Sequence, residues 1–79
     1  MTDVAWTERD GALEREVVLD SFRDAISFVD RLADLAESAN HHPDIAISYK
    51  RVTVRWTTHS DGGITDRDRE LAARTDDLL

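Results

Sequence analysis

The sequence contains no cysteine, a single proline and no apolar run near the roughly 18 residues that a membrane-spanning helix needs. The missing cysteine excludes disulfide bonds and thiolate metal ligands. No basic region is followed by an apolar run at the N-terminus, which argues against a signal peptide. We therefore expect a cytoplasmic protein with no membrane association.

Positive charge is also scarce, because ten Lys and Arg residues face seventeen Asp and Glu residues for a formal net charge of -7. An acidic chain does not offer the basic surface that tracks nucleic-acid phosphates or anionic lipid headgroups. We expect no nucleic-acid partner. The charge is compatible with a compact, neutral small-molecule ligand.

The chain is short, and its 79 residues predict a single domain over residues 1–79. A domain of this size buries only about 60 to 65% of the surface of its unfolded chain, so its core is thin. Association of identical subunits would supplement that core. We expect a homodimer or a higher homo-oligomer.

The first part of the chain has the pattern of a β-hairpin. Residues Val4 to Arg9 alternate in polarity, and Asp10-Gly11 is a turn signal. A second extended run follows with one apolar face, which carries Leu13, Val17 and Leu19. Arg15 interrupts that face.

A long amphipathic helix is predicted next. Ser21 with Asp24 three residues later resembles a weak capping box. The predicted buried stripe recurs at helical spacing and consists of Phe22, Ala25, Ile26, Val29, Leu32, Ala33, Ala36 and Ala39. Pro43 ends the helix, so we expect His41 to close its last turn and His42 to be extended.

The second half repeats the order of hairpin and helix. Two alternating runs, 45–49 and 52–57, flank a predicted turn at Lys50-Arg51. Gly62-Gly63 indicates a loop, and Thr65 begins a closing helix. Leu71, Ala72, Thr75 and Leu78 form the apolar stripe of that helix. The order ββαββα predicts an α+β fold in which a four-stranded antiparallel sheet carries its helices on one face.

Three histidines lie near predicted element ends: His41, His42 and His59. Histidine exchanges protons near neutral pH, so this placement favours acid–base chemistry, although surface or structural roles fit as well. A metal site is the rival hypothesis. Adjacent histidines such as His41 and His42 seldom converge on one ion, so we predict no metal.

Two carboxylates could assist the histidines. Glu37 lies one predicted helical turn before His41 and could orient its ring, or the two could form an ordinary exposed pair. Asp68 fits a capping box with Thr65, but it also lies on the inward stripe of the closing helix, where a histidine could partner it. The spacing alone favours the cap.

The complete spacing carries a family resemblance. Glu37, three residues, His41-His42-Pro43, five residues, Tyr49, nine residues, His59, eight residues and Asp68 resemble the active-site motif of the pterin-4a-carbinolamine dehydratases. The similarity extends over nearly the whole chain, including the strand that begins at Leu13. Members usually carry a further helix before the strand that contains the first tryptophan, which is Trp6 here, so the chain resembles a short form of the family.

The resemblance implies the dehydration of 4a-hydroxytetrahydropterin to a quinonoid dihydropterin in pterin recycling, without metal or organic cofactor. It implies acid–base roles for His41 and His59, assistance from His42, and orientation by Glu37 and Asp68. The residues expected to line the pterin are Asn40, Pro43, Tyr49, Thr57, Thr58 and Ser60. The alternative is a non-enzymatic dimerisation or assembly partner with the same fold.

Overall fold

The computed structural model describes residues 6–79, which form a four-stranded antiparallel sheet and two helices. The elements are β1 (Thr7–Arg9), β2 (Ala12–Val18), α1 (Phe22–Ala39), β3 (Asp44–Ser48), β4 (Arg51–Trp56) and α2 (Asp66–Asp76). The strands lie in the order β1-β2-β4-β3. The predicted α+β fold and its ββαββα order are confirmed. Val4 and Ala5, the start of the first predicted strand, lie outside the described residues.

Two tight turns close the hairpins. Asp10 and Gly11 both have positive φ, at 51° and 78°, as the predicted Asp-Gly turn between β1 and β2 requires. The second turn is shifted by one residue from its predicted place. It consists of Tyr49 and Lys50, with Tyr49 at φ 54°, and Arg51 already belongs to β4.

The core lies between the two central strands and the helices. Alternate residues of β4 turn their side chains toward the helices and are fully buried, namely Val52, Val54 and Trp56. Leu13 and Val17 of β2 face the same side. Arg15, which interrupts that apolar face, bonds through its Nη1 atom to Oδ1 of Asp76 at 2.5 Å. The charged residue is therefore accommodated by a carboxylate at the end of α2.

Helix α1 is rotated relative to the predicted stripe. Phe28 and Leu35 are buried, although the predicted stripe omitted them, whereas Phe22, Ile26 and Ala33 are exposed. The reason is that α1 packs across the central strand β4, while the short edge strand β3 leaves the neighbouring helix row uncovered. No helix within residues 6–79 is both long enough and apolar enough to cross a bilayer.

The C-terminal end of α1 lies earlier than predicted, and this determines the site. The helix ends at Ala39, and Asn40 adopts the left-handed conformation at φ 51°. Backbone bonds from Asn40 N to Glu37 O (3.2 Å) and from His41 N to Ala36 O (3.1 Å) close the end in a Schellman arrangement. His41 therefore lies beyond the helix and not in its last turn, and the prediction that it closes the helix is wrong.

Candidate active site

His41 reaches inward and bonds to a buried carboxylate. Its Nε2 atom lies 2.7 Å from Oδ1 of Asp68. The Asp68 side chain is fully buried, and that of His41 is 14% exposed. The left-handed turn at Asn40 directs His41 toward the first turn of α2, where Asp68 faces the sheet. Two residues 27 positions apart thus form one buried pair.

Asp68 fulfils both of the roles that the sequence left open. Its Oδ2 atom accepts hydrogen bonds from the backbone N–H of Thr65 (2.8 Å) and from Oγ1 of Thr58 (2.7 Å), while Oδ1 contacts His41. The backbone N–H of Asp68 in turn donates to the carbonyl of Thr65 at 3.0 Å. The carboxylate therefore caps α2 and orients the histidine at the same time.

These bonds keep Asp68 ionised. Burial by itself would raise the pKa of this carboxyl, but the hydrogen bonds from Thr58, from the Thr65 backbone and from His41 outweigh it and lower the pKa below its ordinary value. An ionised carboxylate only accepts hydrogen bonds, so the Nε2 atom of His41 must carry the proton. Nδ1 is the ring nitrogen that this bond leaves available for another group.

The imidazole of His41 also lies on an aromatic surface. Its ring is parallel to that of Trp56, with 5.7 Å between centroids and 8° between planes. Trp56 is held in turn, because its Nε1 atom donates to Oγ1 of Thr75 at 3.0 Å and Thr75 donates to the carbonyl of Leu71 at 2.7 Å. Trp56 and Thr75 are both fully buried. The indole is therefore a fixed aromatic surface on which the imidazole packs.

His42 takes the opposite direction and pairs with Glu37. Nε2 of His42 lies 2.5 Å from Oε2 of Glu37, and the two side chains are 58% and 75% exposed. The prediction that Glu37 pairs with His41 and orients it is therefore wrong, because Glu37 pairs with His42. Because α1 ends before His41, the side chain that returns over the last turn of the helix is that of His42.

His59 begins a short 3-10 turn (His59–Asp61) just after β4 and lines an open cleft of about 370 Å³. The cleft lies between this turn and the β1–β2 turn, and its polar walls include Asp44, Arg55 and Thr57. Arg55 is held by the Arg9 carbonyl (Nη2 to O, 3.1 Å) and lies 3.5 Å from Glu14. The volume is in the range of small-molecule sites.

The predicted pterin-lining residues are distributed around this cleft and beyond it. Thr57 lines the cleft and donates to the Gly11 carbonyl at 2.7 Å, whereas the Thr58 hydroxyl points to Asp68. Ser60 is exposed in the 3-10 turn. Pro43 is half-buried between the histidines and β3, directly after the histidine pair that follows Asn40.

Tyr49 is not brought to the histidines within one chain. It lies at the far turn of the β3–β4 hairpin and is 69% exposed. The five residues of β3 lie between it and Pro43, so the six steps along the strand span about 20 Å at roughly 3.3 Å per residue. A contact between Tyr49 and the same subunit's histidines is not part of this arrangement.

Three residues at the site, Trp56, Asp44 and Arg55, were not predicted from the sequence. The contact of Trp56 with His41 depends on the path of the chain after α1. Asp44 and Arg55 received no role, although their positions in the strand register place them opposite each other on the helix-free face. The alternation of β4 could have indicated Arg55, because it predicts that Arg55 and Thr57 share that face.

The histidines do not share a carboxylate, since His41 uses Asp68 and His42 uses Glu37. In the part of the chain from Trp6 onward, no group of three His, Asp or Glu side chains is arranged to hold a metal ion. The site therefore consists of a buried imidazole–carboxylate pair, an exposed one, and a third histidine in a neighbouring cleft.

Comparison with known proteins gives a consistent result. The family model described as pterin 4 alpha carbinolamine dehydratase matches residues 1–78. A protein of Thermomicrobium roseum, provisionally named as a pterin-4-alpha-carbinolamine dehydratase, is 51% identical over 73 residues, which are 92% of this chain and 78% of that protein. A Sulfurisphaera tokodaii protein of the same provisional name is 42% identical over 74 residues, covering 94% of this chain and 80% of the relative.

Two solved structures share the fold. A transcriptional coactivator/pterin dehydratase from Brucella melitensis superposes with a TM-score of 0.89 at 31% identity, covering 95% of this chain and 82% of the other. A pterin dehydratase-like protein, identified as a RuBisCO assembly factor in the alpha-carboxysome, gives a TM-score of 0.75 at 26% identity over 92% and 84% of the two chains. Proteins with this fold thus have different described roles.

Proposed function

Because the chain belongs to the pterin-4a-carbinolamine dehydratase family, we propose that it removes water from 4a-hydroxytetrahydropterins in pterin recycling, without metal or organic cofactor. The observation that carries the proposal is the buried pair of His41 and Asp68. A histidine with one ring nitrogen bonded to an ionised carboxylate has the other free for proton exchange. Such an arrangement is typical of acid–base catalysis.

The reaction needs two proton transfers. An acid donates a proton to the 4a oxygen, the C4a–O bond breaks, and water leaves. The electron pair of a neighbouring ring N–H bond forms the new C=N bond as a base takes that proton. Hydroxide is a poor leaving group, so the acid has the larger task. The products are one water and one quinonoid dihydropterin.

Three histidines are available for these transfers. We assign the principal acid and base to His41 and His59 and leave open which residue has which role. His42, held over Glu37 at the surface, binds the pterin and assists. The cleft beside His59 is the proposed place for one edge of the pterin ring, because Asp44, Arg55 and Thr57 provide acceptors and donors for a polar heterocycle. His41 does not line this cleft, so the ring has to extend beyond it to reach Nδ1 of His41.

Stopped-flow dehydration of a 4a-hydroxytetrahydropterin tests this assignment. His41→Ala and His59→Ala should each lower the rate by about 100-fold or more, as expected for a positioned acid or base. His42→Ala should mainly weaken pterin binding. The matched control is Glu16→Gln, an exposed strand position outside the site. Wild-type rates in both single variants would refute the assignment.

An assembly role is the second candidate. Exposed apolar side chains favour it: Phe22 and Ile26 of α1, and Ile45 and Ile47 of the edge strand β3, are each at least 36% exposed. Surfaces of this kind occur at protein–protein contacts. The similarity to an alpha-carboxysome assembly factor also supports it. Pterin binding discriminates between the two, because an assembly-only protein should bind no pterin.

The same exposed side chains support a homo-oligomer. Strand β3 is an edge strand, and its outer backbone groups have no partner among residues 6–79. A second copy related by a two-fold axis could pair with this edge and cover the apolar side chains. Because each chain carries a net charge of -7, moderate salt should strengthen the association. Light scattering coupled to size exclusion tests this, and a 9.0 kDa monomer at low and moderate salt would contradict it.

A further inference from the structure

We propose that Trp56 is a positioning residue for His41, with Thr75 as the anchor of Trp56. The role rests on the proposed dehydratase function, in which His41 exchanges protons with the pterin. Trp56 itself is fully buried and cannot contact a substrate. It would act through the imidazole that lies on its face.

Two contacts at different places fix the ring of His41. The bond from Nε2 to Asp68 (2.7 Å) fixes one atom but leaves the ring free to rotate about that bond. The parallel stack on Trp56, at 8° between planes, fixes the plane. Together they determine where Nδ1 points. Catalysis by a positioned group is sensitive to such orientation.

The indole can keep the imidazole in one plane only if its own position is fixed by other contacts. Its Nε1–H donates to Thr75, whose hydroxyl donates to the Leu71 carbonyl in α2. Asp68 lies in the first turn of the same helix. Helix α2 thus holds both the carboxylate and the aromatic plane, so movement of the helix displaces both supports of His41 together.

The kinetic test compares variants that remove the stack with variants that remove its anchor. Trp56→Leu removes the aromatic face and should lower kcat by roughly 10-fold or more with little change in KM. Trp56→Phe keeps an aromatic face but loses the N–H group, so its kcat should lie between that of Trp56→Leu and that of the wild type. Thr75→Val removes the hydroxyl and should lower kcat several-fold, whereas Thr75→Ser keeps the hydroxyl and should have the kcat of the wild type.

A matched control separates positioning from loss of core packing. Val52→Ala removes buried volume from the same face of β4 without a contact to His41. It should reduce stability while leaving kcat of the folded protein unchanged. If the folded Trp56→Phe and Thr75→Val proteins keep the wild-type kcat, the positioning role is refuted, even where Trp56→Leu fails to fold.

A spectroscopic test does not depend on turnover. The chain has two tryptophans, so Trp6→Phe leaves Trp56 as the single indole. An imidazole that packs on an indole alters the emission of that indole. In this background His41→Gln removes the imidazole from the face of Trp56 and should therefore change the emission intensity. Identical emission with and without His41 would refute the contact.

The two tests also separate this inference from the proposed function. A wild-type protein without dehydration, but with His41-dependent emission, would refute the dehydratase assignment and leave the stack in place. A wild-type protein that dehydrates normally, with emission independent of His41 and with full activity in the Trp56 and Thr75 variants, would refute the positioning role alone.

Discussion

Two adjacent histidines form two imidazole–carboxylate pairs of similar length but opposite surroundings. His41 lies 2.7 Å from Asp68 and His42 lies 2.5 Å from Glu37. The first pair is almost enclosed, with side chains 14% and 0% exposed, whereas the second is 58% and 75% exposed. By distance alone the two pairs would be expected to contribute equally to stability. Their different exposure to water predicts very different contributions to stability and to chemistry.

The difference follows from what each carboxylate would lose without its partner. A buried carboxylate cannot recover hydrogen bonds from water, so removing a partner leaves an uncompensated charge. An exposed carboxylate is solvated whether or not the histidine is present, and its pairing contributes little. The buried pair is therefore the candidate for both fold stability and a fixed catalytic orientation.

The largest expected effect comes from removing the buried carboxylate. Asp68→Ala deprives Thr58, Thr65 and His41 of their common acceptor and should destabilise the fold by about 3 to 5 kcal/mol. Denaturant unfolding measures this change. Asp66→Asn, at an exposed position of the same helix turn, is the control. A loss below 1 kcal/mol in Asp68→Ala would remove the energetic distinction between the pairs.

Acid should weaken the buried pair selectively. The folded-state pKa of Asp68 lies below its value in the unfolded chain, which is about 3.9. Its contribution is therefore complete above that value and is lost as the pH falls through the folded pKa. The stability difference between the wild type and Asp68→Asn should narrow below about pH 4. A difference that is constant from pH 7 to pH 3 would contradict this linkage.

Asn40 directs the two histidines to their different partners, and its substitution gives an intermediate effect. Asn40→Ala places a less suitable residue at φ 51° and should cost about 1 to 2 kcal/mol. Asn40→Gly accepts the same conformation and should retain stability. If Asn40→Gly is stable but slow in dehydration, the amide also has the predicted role at the pterin. Equal stability of both variants would show that the left-handed turn does not matter.

The exposed pair should give the smallest effect. Glu37→Gln removes the charge near His42 but exposes no buried group, so we expect a change of less than about 0.5 kcal/mol in unfolding free energy. The expected loss, if any, is in pterin affinity through His42. Thermal or denaturant unfolding checks the first point. A destabilisation comparable to that of Asp68→Ala would mean that exposure does not distinguish the pairs.

The helix stripe illustrates where sequence periodicity is sufficient and where it is not. The spacing correctly predicted a helix from Phe22, but it could not give the rotation that buries Phe28 and leaves Phe22 exposed. Both rows are apolar at helical spacing. The choice between them depends on which strand lies beneath the helix, and α1 packs on β4, one of the two central strands of the sheet.

The order of elements, the Asp10-Gly11 turn, the Thr65 cap and the family motif could be predicted from the sequence, because each depends on residues close together in the chain or at fixed spacing. The partners of the histidines could not, because they depend on how distant parts of the chain pack. His41 was expected to face Glu37, but α1 ends at Ala39, and the left-handed Asn40 turns His41 toward Asp68 and leaves Glu37 to His42. A change of one or two residues at a helix end redirects every following side chain, and local periodicity does not resolve such a shift.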